Sequence, residues 1–199
     1  MIRRVVCLVL AGPVSSPAAP PGVDGRELAA AMAHDVYAVL MDLDSVEQVV
    51  AYTPDWALVA DAVAWTGTPR LAVPDASSVA AELSRWAPAE AVLVAPDAPD
   101  LPALHLAATF RTLASAGLVA SRVLDGPGLV LLGLRLPAPD GLDASLEGLP
   151  PAGAVQTPPW RRIRTTGELT RLDPDLEGWE ATRQLLGAAA GPPVQAEPC

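Results

Sequence analysis

Val92-Leu93-Val94-Ala95-Pro96-Asp97-Ala98-Pro99-Asp100-Leu101 joins a wholly apolar run to two closely spaced carboxylates. The run from Ala91 to Ala95 stops at Pro96, which predicts a short strand buried on both faces and ending in a turn. Ligands of open α/β sheets gather beyond the carboxyl ends of such strands. Asp97 then stands where a divalent cation bridging a nucleotide diphosphate would sit, and hard oxygen donors suit Mg or Mn. The same residues also read as an ordinary turn, with Asp100 capping a helix that begins near Pro102. Spacing alone leaves both readings open.

Working outward, Val5 to Leu10 is a second continuous apolar run, bounded by Gly12-Pro13, and predicts another strand buried on both faces. Arg3 and Arg4 ahead of it give the segment some likeness to a short signal peptide, but a buried strand accounts for it equally well. Gly12 to Gly25 is rich in Pro, Ala, Ser and Gly and predicts a loop at the carboxyl end of that strand. From Arg26 onward Leu28, Met32, Val36 and Leu40 recur every four residues behind a candidate N-cap, Asp24, predicting a helix of about four turns. Strands are expected at Glu47 to Thr53 and Arg70 to Val73, with short helices from Asp55 through Trp65 and from Ser77 or Ser78 through Trp86. Downstream, Leu106, Phe110 and Leu113 mark a helix ending near Gly117, and strands at about Val119 to Leu124 and Leu129 to Leu134 flank Asp125-Gly126-Pro127-Gly128. Pro137 to Pro159 has no regular pattern, Thr166 is placed to cap a helix reaching Leu172, and a last helix is expected from about Leu176 to Leu186. Strand and helix alternate, so the expected class is α/β: a three-layer, mostly parallel sheet with helices on both faces. One domain, 1–187, and a disordered tail, 188–199, follow.

Composition narrows the function. Of 199 residues 51% are hydrophobic, the formal net charge is −10, and all 13 basic residues are arginine. That balance argues against a nucleic-acid partner, whose footprint is a basic face. The apolar runs are too short to span a bilayer, so no membrane association is expected. Cys7 and Cys199 make neither a disulfide framework nor a metal spacing, which fits the cytoplasm, and a thiol at the terminus is more often incidental than used. His34 and His105 sit on predicted helices and read as helix residues rather than bases. Neither a P-loop nor a Gly-x-Ser-x-Gly elbow is present. The five tryptophans read as edge-of-core packing; only Trp160, beside three arginines, is placed to stack on a base or contact a partner.

Taken in order, strand, Asp97-Ala98-Pro99-Asp100-Leu101, helix, Asp125-Gly126-Pro127-Gly128 and Leu131-Leu132-Gly133-Leu134 resemble the bacterial glycosyltransferase-A-like family related to 2-phospho-lactate guanylyltransferase and, more remotely, to the molybdenum cofactor guanylyltransferases. The resemblance covers roughly Val5 to Leu172. It implies a nucleotide-dependent transferase of nucleotidyl or glycosyl groups, with Asp97 on a Mg or Mn ion. It further implies that a nucleotide or nucleotide sugar lies near Ala11, Gly12, Pro13 and Arg26, with Asp125, Gly126 and Gly128 completing the binding residues. Three departures stand beside it. The loop Ala11 to Gly25 has no basic residue to hold phosphates. Asp125-Gly126 is displaced by one position, and Leu129 and Val130 stand where the family has two tyrosines. Arg162-Ile163-Arg164-Thr165 replaces the family's Asp-Ile-Asp-Thr, setting guanidinium groups where a second metal carboxylate would be, a repulsive arrangement beside a dication unless the arginines themselves neutralise phosphates. These departures define the alternative: a catalytically degenerate member acting as a binding or scaffolding protein, with a protein partner or a second copy of itself.

Overall fold

The computed structural model describes residues 3–139 and 141–189. The first apolar run is β1 (Arg4–Leu10), buried from Val5 onward because a strand covers each of its edges and helices cover both faces. Its thiol, Cys7, is completely buried, and loss of hydration pushes its pKa up to about 12, so it behaves as a small core hydrophobe. The segment with some likeness to a signal peptide forms a central strand of the sheet.

The chain continues through α1 (Gly25–Met41), β2 (Glu47–Tyr52), α2 (Ala57–Val63), β3 (Arg70–Ala72), α3 (Val79–Arg85) and β4 (Glu90–Val94). It then forms α4 (Ala103–Leu113), β5 (Leu118–Val123), β6 (Leu129–Arg135), β7 (Val155–Trp160), α5 (Thr166–Leu169) and α6 (Glu180–Ala189). Seven strands make one sheet in the order β3-β2-β1-β4-β6-β5-β7. The β1–β2, β1–β4, β2–β3 and β5–β7 pairs are parallel, whereas β6 runs antiparallel to both of its neighbours. The mostly parallel α/β sheet expected from the alternation of elements is thus the observed one.

One apolar layer lies under α1, α2 and α4, and a second lies on the opposite face under α3. α1 meets the first layer through Ala29, Ala33, Val36, Tyr37 and Leu40, and Asp24 caps it by accepting from the backbone N–H groups of Arg26 and Glu27. A third cluster of Ala18, Leu28, Met32, Ile163, Leu172 and Trp179 ties the loop after β1 to the C-terminal segment. Gly133 on β6 lets α4 approach closely: a Cβ there would come within 2.9 Å of Thr109 Cγ2. Among the described residues no helix is long and apolar enough to cross a membrane.

Four elements depart from the sequence expectations, the first being α5, whose N-cap is Thr165 rather than Thr166 and which ends at Leu169, short of Leu172. β7 lies in the Pro-rich segment that carries no period, and Pro158 and Pro159 are tolerated because β7 is an edge strand. The ladder shifts register between Ser121 and Val123, and Ser121 Oγ donates to the Pro158 carbonyl at 2.7 Å to bridge the irregularity. Asp100 does not cap α4, whose N-cap is Pro102; its carboxylate accepts from Trp160 Nε1 at 3.1 Å and pairs with Arg161 at 2.7 Å. α6 begins at Glu180 rather than near Leu176 and runs to Ala189, so 188 and 189 are helical, and the rest of the expected tail, Cys199 included, lies outside the described residues.

Candidate functional site

The chain leaves β1 towards β2 and β3 on one side and returns to β4 on the other, so a crevice opens between the carboxyl ends of β1 and β4. A cavity of about 210 Å³ occupies that place. Its walls are apolar, from Ala11, Pro13, Pro17, Ala29, Met32, Trp56 and Ile163, and its floor is charged, from Asp97, Glu147, Arg162 and Arg164. The loop forming one wall is held by local contacts. Gly12 adopts φ +82°, a conformation that suits glycine, and its carbonyl accepts from Trp56 Nε1 at 3.0 Å. Ser16 N–H donates to the Gly25 carbonyl at 2.8 Å, closing the loop against the start of α1.

The floor is built from segments far apart in sequence. Asp97 follows β4 at once, and its backbone carbonyl accepts from Ile163 N–H at 2.7 Å, pinning Arg162-Ile163-Arg164 across the end of that strand. Side chains two apart then point the same way: Ile163 enters the third apolar cluster while Arg162 and Arg164 both turn to Asp97. Arg162 Nε donates to Asp97 Oδ1, its Nη1 donates to the carbonyls of Leu129 (3.1 Å) and Leu146 (3.2 Å), and its Nη2 reaches Glu147 Oε1 at 2.8 Å. Arg164 approaches Asp97 Oδ2 through Nε at 3.5 Å and donates to the Pro127 carbonyl at 2.9 Å and to Glu147 Oε2 at 2.8 Å. Burial by itself would lower the pKa of Arg162, but Asp97 and Glu147 more than offset it and hold the guanidinium above its ordinary value. Two cations and two carboxylates leave the floor with no net charge.

Gly128 is part of this construction. At φ +96° a Cβ would come within 2.8 Å of the Leu146 carbonyl oxygen and 3.3 Å of Arg164 Nη2, so only glycine lets the β5–β6 turn pass under the arginines. Of the other residues singled out by sequence, Ala11, Pro13 and Asp97 line this cavity, and Gly12 lines a smaller adjoining one of about 40 Å³. Arg26 is exposed on the first turn of α1, away from the lining, and Asp125 points to Arg171 at 2.9 Å, with Gly126 beside it packing near Val123. Trp160 lies outside this lining and already has aromatic and cationic neighbours: His105 packs edge-to-face with it, centroids 4.8 Å apart, and the Arg161 guanidinium lies 5.3 Å from its centroid. Glu147, Trp56 and Met32 complete the site without having been singled out for it. Glu147 lies in the segment without periodicity, and nothing around it in the sequence marks it.

The residues present do not fit a divalent cation at Asp97. Both of its carboxylate oxygens face guanidinium groups, and the described residues contain no group of three or more His, Cys, Asp or Glu placed to hold a metal. Arg162, buried to 5% exposure, stands against Asp97 where a metal would have to bind, and two fixed cations repel a third.

No family model and no curated protein sequence matches the chain. Solved structures do. A protein of Desulfovibrio desulfuricans described as a nucleotide-diphospho-sugar transferase superposes with a TM-score of 0.65 at 15% identity, over 96% of this chain and 98% of that one. Rv0371c of Mycobacterium tuberculosis, solved in complex with manganese, gives 0.53 at 20% identity over 94% and 98%. A cytidylyltransferase of Leptospira borgpetersenii gives 0.57 at 10% identity over 96% of each chain. At such identities the likeness is one of architecture, and the chain has a fold of the nucleotide-diphospho-sugar transferase type.

Proposed function

We propose that this chain binds a nucleotide or nucleotide sugar at the carboxyl ends of β1 and β4 without a divalent cation, and that metal-dependent nucleotidyl or glycosyl transfer is not its chemistry. One observation carries the reading: the cavity at the switch point of a transferase-type sheet has Asp97 on its floor, with both carboxylate oxygens turned to Arg162 and Arg164. The apolar walls offer surface to a base or sugar ring, and orientation falls to the few polar groups below them. A second reading has its own support. Arg162 and Arg164 are cations fixed in place, the kind of group that stabilises a transferring phosphoryl group in place of a metal, which would make the chain a metal-independent transferase. The resemblance of Asp97 to Leu101 and Asp125 to Gly128 to motifs of the family related to 2-phospho-lactate guanylyltransferase makes guanine nucleotides the first to try.

Calorimetric and thermal-shift titrations with GTP, CTP, UTP and nucleotide sugars, with Mn or Mg and with chelator, test the proposal, because a ligand that binds only the folded chain raises its apparent stability. The expected result is stabilisation by at least one nucleotide that is equal with and without metal. Stabilisation that needs Mn or Mg and is lost in Asp97→Ala would overturn it, as would no response to any nucleotide at millimolar concentration. Turnover in the presence of chelator would select the second reading.

A further inference from the structure

Glu147 sits in the site as an anion supplied by the chain itself. Its two oxygens are held by one nitrogen from each arginine, Arg162 Nη2 and Arg164 Nη2, both at 2.8 Å, in the manner of a bound oxyanion. Yet 61% of the Glu147 side chain is exposed, so little hydration has to be regained when it leaves. The backbone beside it is fixed independently: the Leu146 carbonyl accepts from Leu129 N–H at 2.8 Å and from Arg162 Nη1 at 3.2 Å. Only the Glu147 side chain needs to rotate.

The arginines do not depend on Glu147 for their positions. Arg162 keeps Asp97 and the carbonyls of Leu129 and Leu146, and Arg164 keeps Asp97 and the carbonyl of Pro127. With Glu147 withdrawn, two guanidinium groups against the single carboxylate of Asp97 leave one net positive charge, and two Nη2 groups remain unpaired at the cavity floor. A fork organised beforehand binds its anion with little further ordering cost.

We infer that Glu147 occupies an oxyanion seat between Arg162 and Arg164, and that a phosphate group displaces it to bind there. The inference deepens the proposed nucleotide site, on which it rests, by assigning the place of its phosphate and by making Glu147 a self-inhibiting contact. The shared chemistry is a phosphate oxyanion, carried by a nucleotide or free in solution.

The test uses the full chain in three forms, native, Glu147→Ala and Glu147→Ala with Arg164→Gln, titrated with inorganic phosphate and separately with GMP by calorimetry and ³¹P NMR. Removing Glu147 is expected to tighten inorganic phosphate by tenfold or more, the equivalent of about 1.4 kcal/mol, and Arg164→Gln is expected to cancel that gain. Circular dichroism and thermal unfolding confirm that each form is folded; should the double variant fail, Arg164→Lys, which keeps the charge and loses the fork, replaces it and is expected to reduce the gain rather than cancel it. Unchanged phosphate affinity in Glu147→Ala, or a gain indifferent to residue 164, overturns the inference. Phosphate binding without a GMP response would leave the oxyanion seat in place and count against the nucleotide reading, and GMP binding with no effect of Glu147→Ala would do the reverse.

Discussion

Removing the Arg162 guanidinium would leave Asp97 facing only the longer contact to Arg164, and would take one donor each from the carbonyls of Leu129 and Leu146. Breaking a buried pair from one side costs about 3 to 5 kcal/mol, because the carboxylate left behind keeps little hydration and only a weaker partner. Arg162→Ala is therefore expected to lower the melting temperature by roughly 6 to 20 °C in a chain of this size, measured by calorimetry. Arg162→Lys should restore only part of this, since an ammonium cannot span a carboxylate and two carbonyls as the planar fork does. A loss under about 1 kcal/mol would mean that the pair is far better hydrated than its burial indicates. At this scale the place of Asp97 was legible, because an apolar strand ending in Pro-Asp presents a carboxylate at the sheet's open end, but its reading as a metal ligand fails on the two arginines that face it. Glu147 was not, because no local pattern distinguishes it from the other surface acids.

α6 docks on α1 through one buried carboxylate: Asp35 Oδ1 accepts from Ala181 N–H at 2.8 Å and Oδ2 from Thr182 N–H at 2.9 Å, at the start of α6. This is an N-cap delivered from 146 residues away. Burial raises the Asp35 pKa, and the hydrogen bonds from Thr182 and Ala181 offset only part of that rise. A raised folded-state pKa means that the folded chain holds the proton after the unfolded chain has released it. Stability at this site thus falls as pH rises from about 4, the unfolded value, through the raised folded value, and is level above it. Asp35→Asn is expected to remove that part of the pH dependence in denaturant melts recorded between these limits. Asp35→Ala should cost about 1 kcal/mol and speed hydrogen exchange at Ala181 and Thr182 while leaving β1 protected; equal exchange in both forms would refute the cap. α1 and β1 were readable from period and cap residues. The α6 boundary was not, since its cap is distant in sequence, and neither was β7, because two prolines read as a breaker until the strand is known to be an edge.

For the molecule as a whole, a net charge of −10 with its most buried arginine matched by carboxylates leaves little field to attract a polyanion. In a gel-shift or polarisation assay at about 0.15 M salt the chain is expected to show no binding to duplex DNA, whereas binding with a steep salt slope would reveal a basic face that the composition conceals. Sequence by itself determined the alternation of buried strands and amphipathic helices, and with it an α/β sheet whose β1 and β4 end at a cavity, because hydrophobic period and turn chemistry are local properties. Tertiary structure alone decided the character of the site. Arg162 and Arg164 meet Asp97 across 65 and 67 residues, and Glu147 closes the group from a segment without pattern. Charges so distant in the chain cancel or reinforce one another only once the backbone has brought them within hydrogen-bonding distance, and no local pattern encodes which of the two they do.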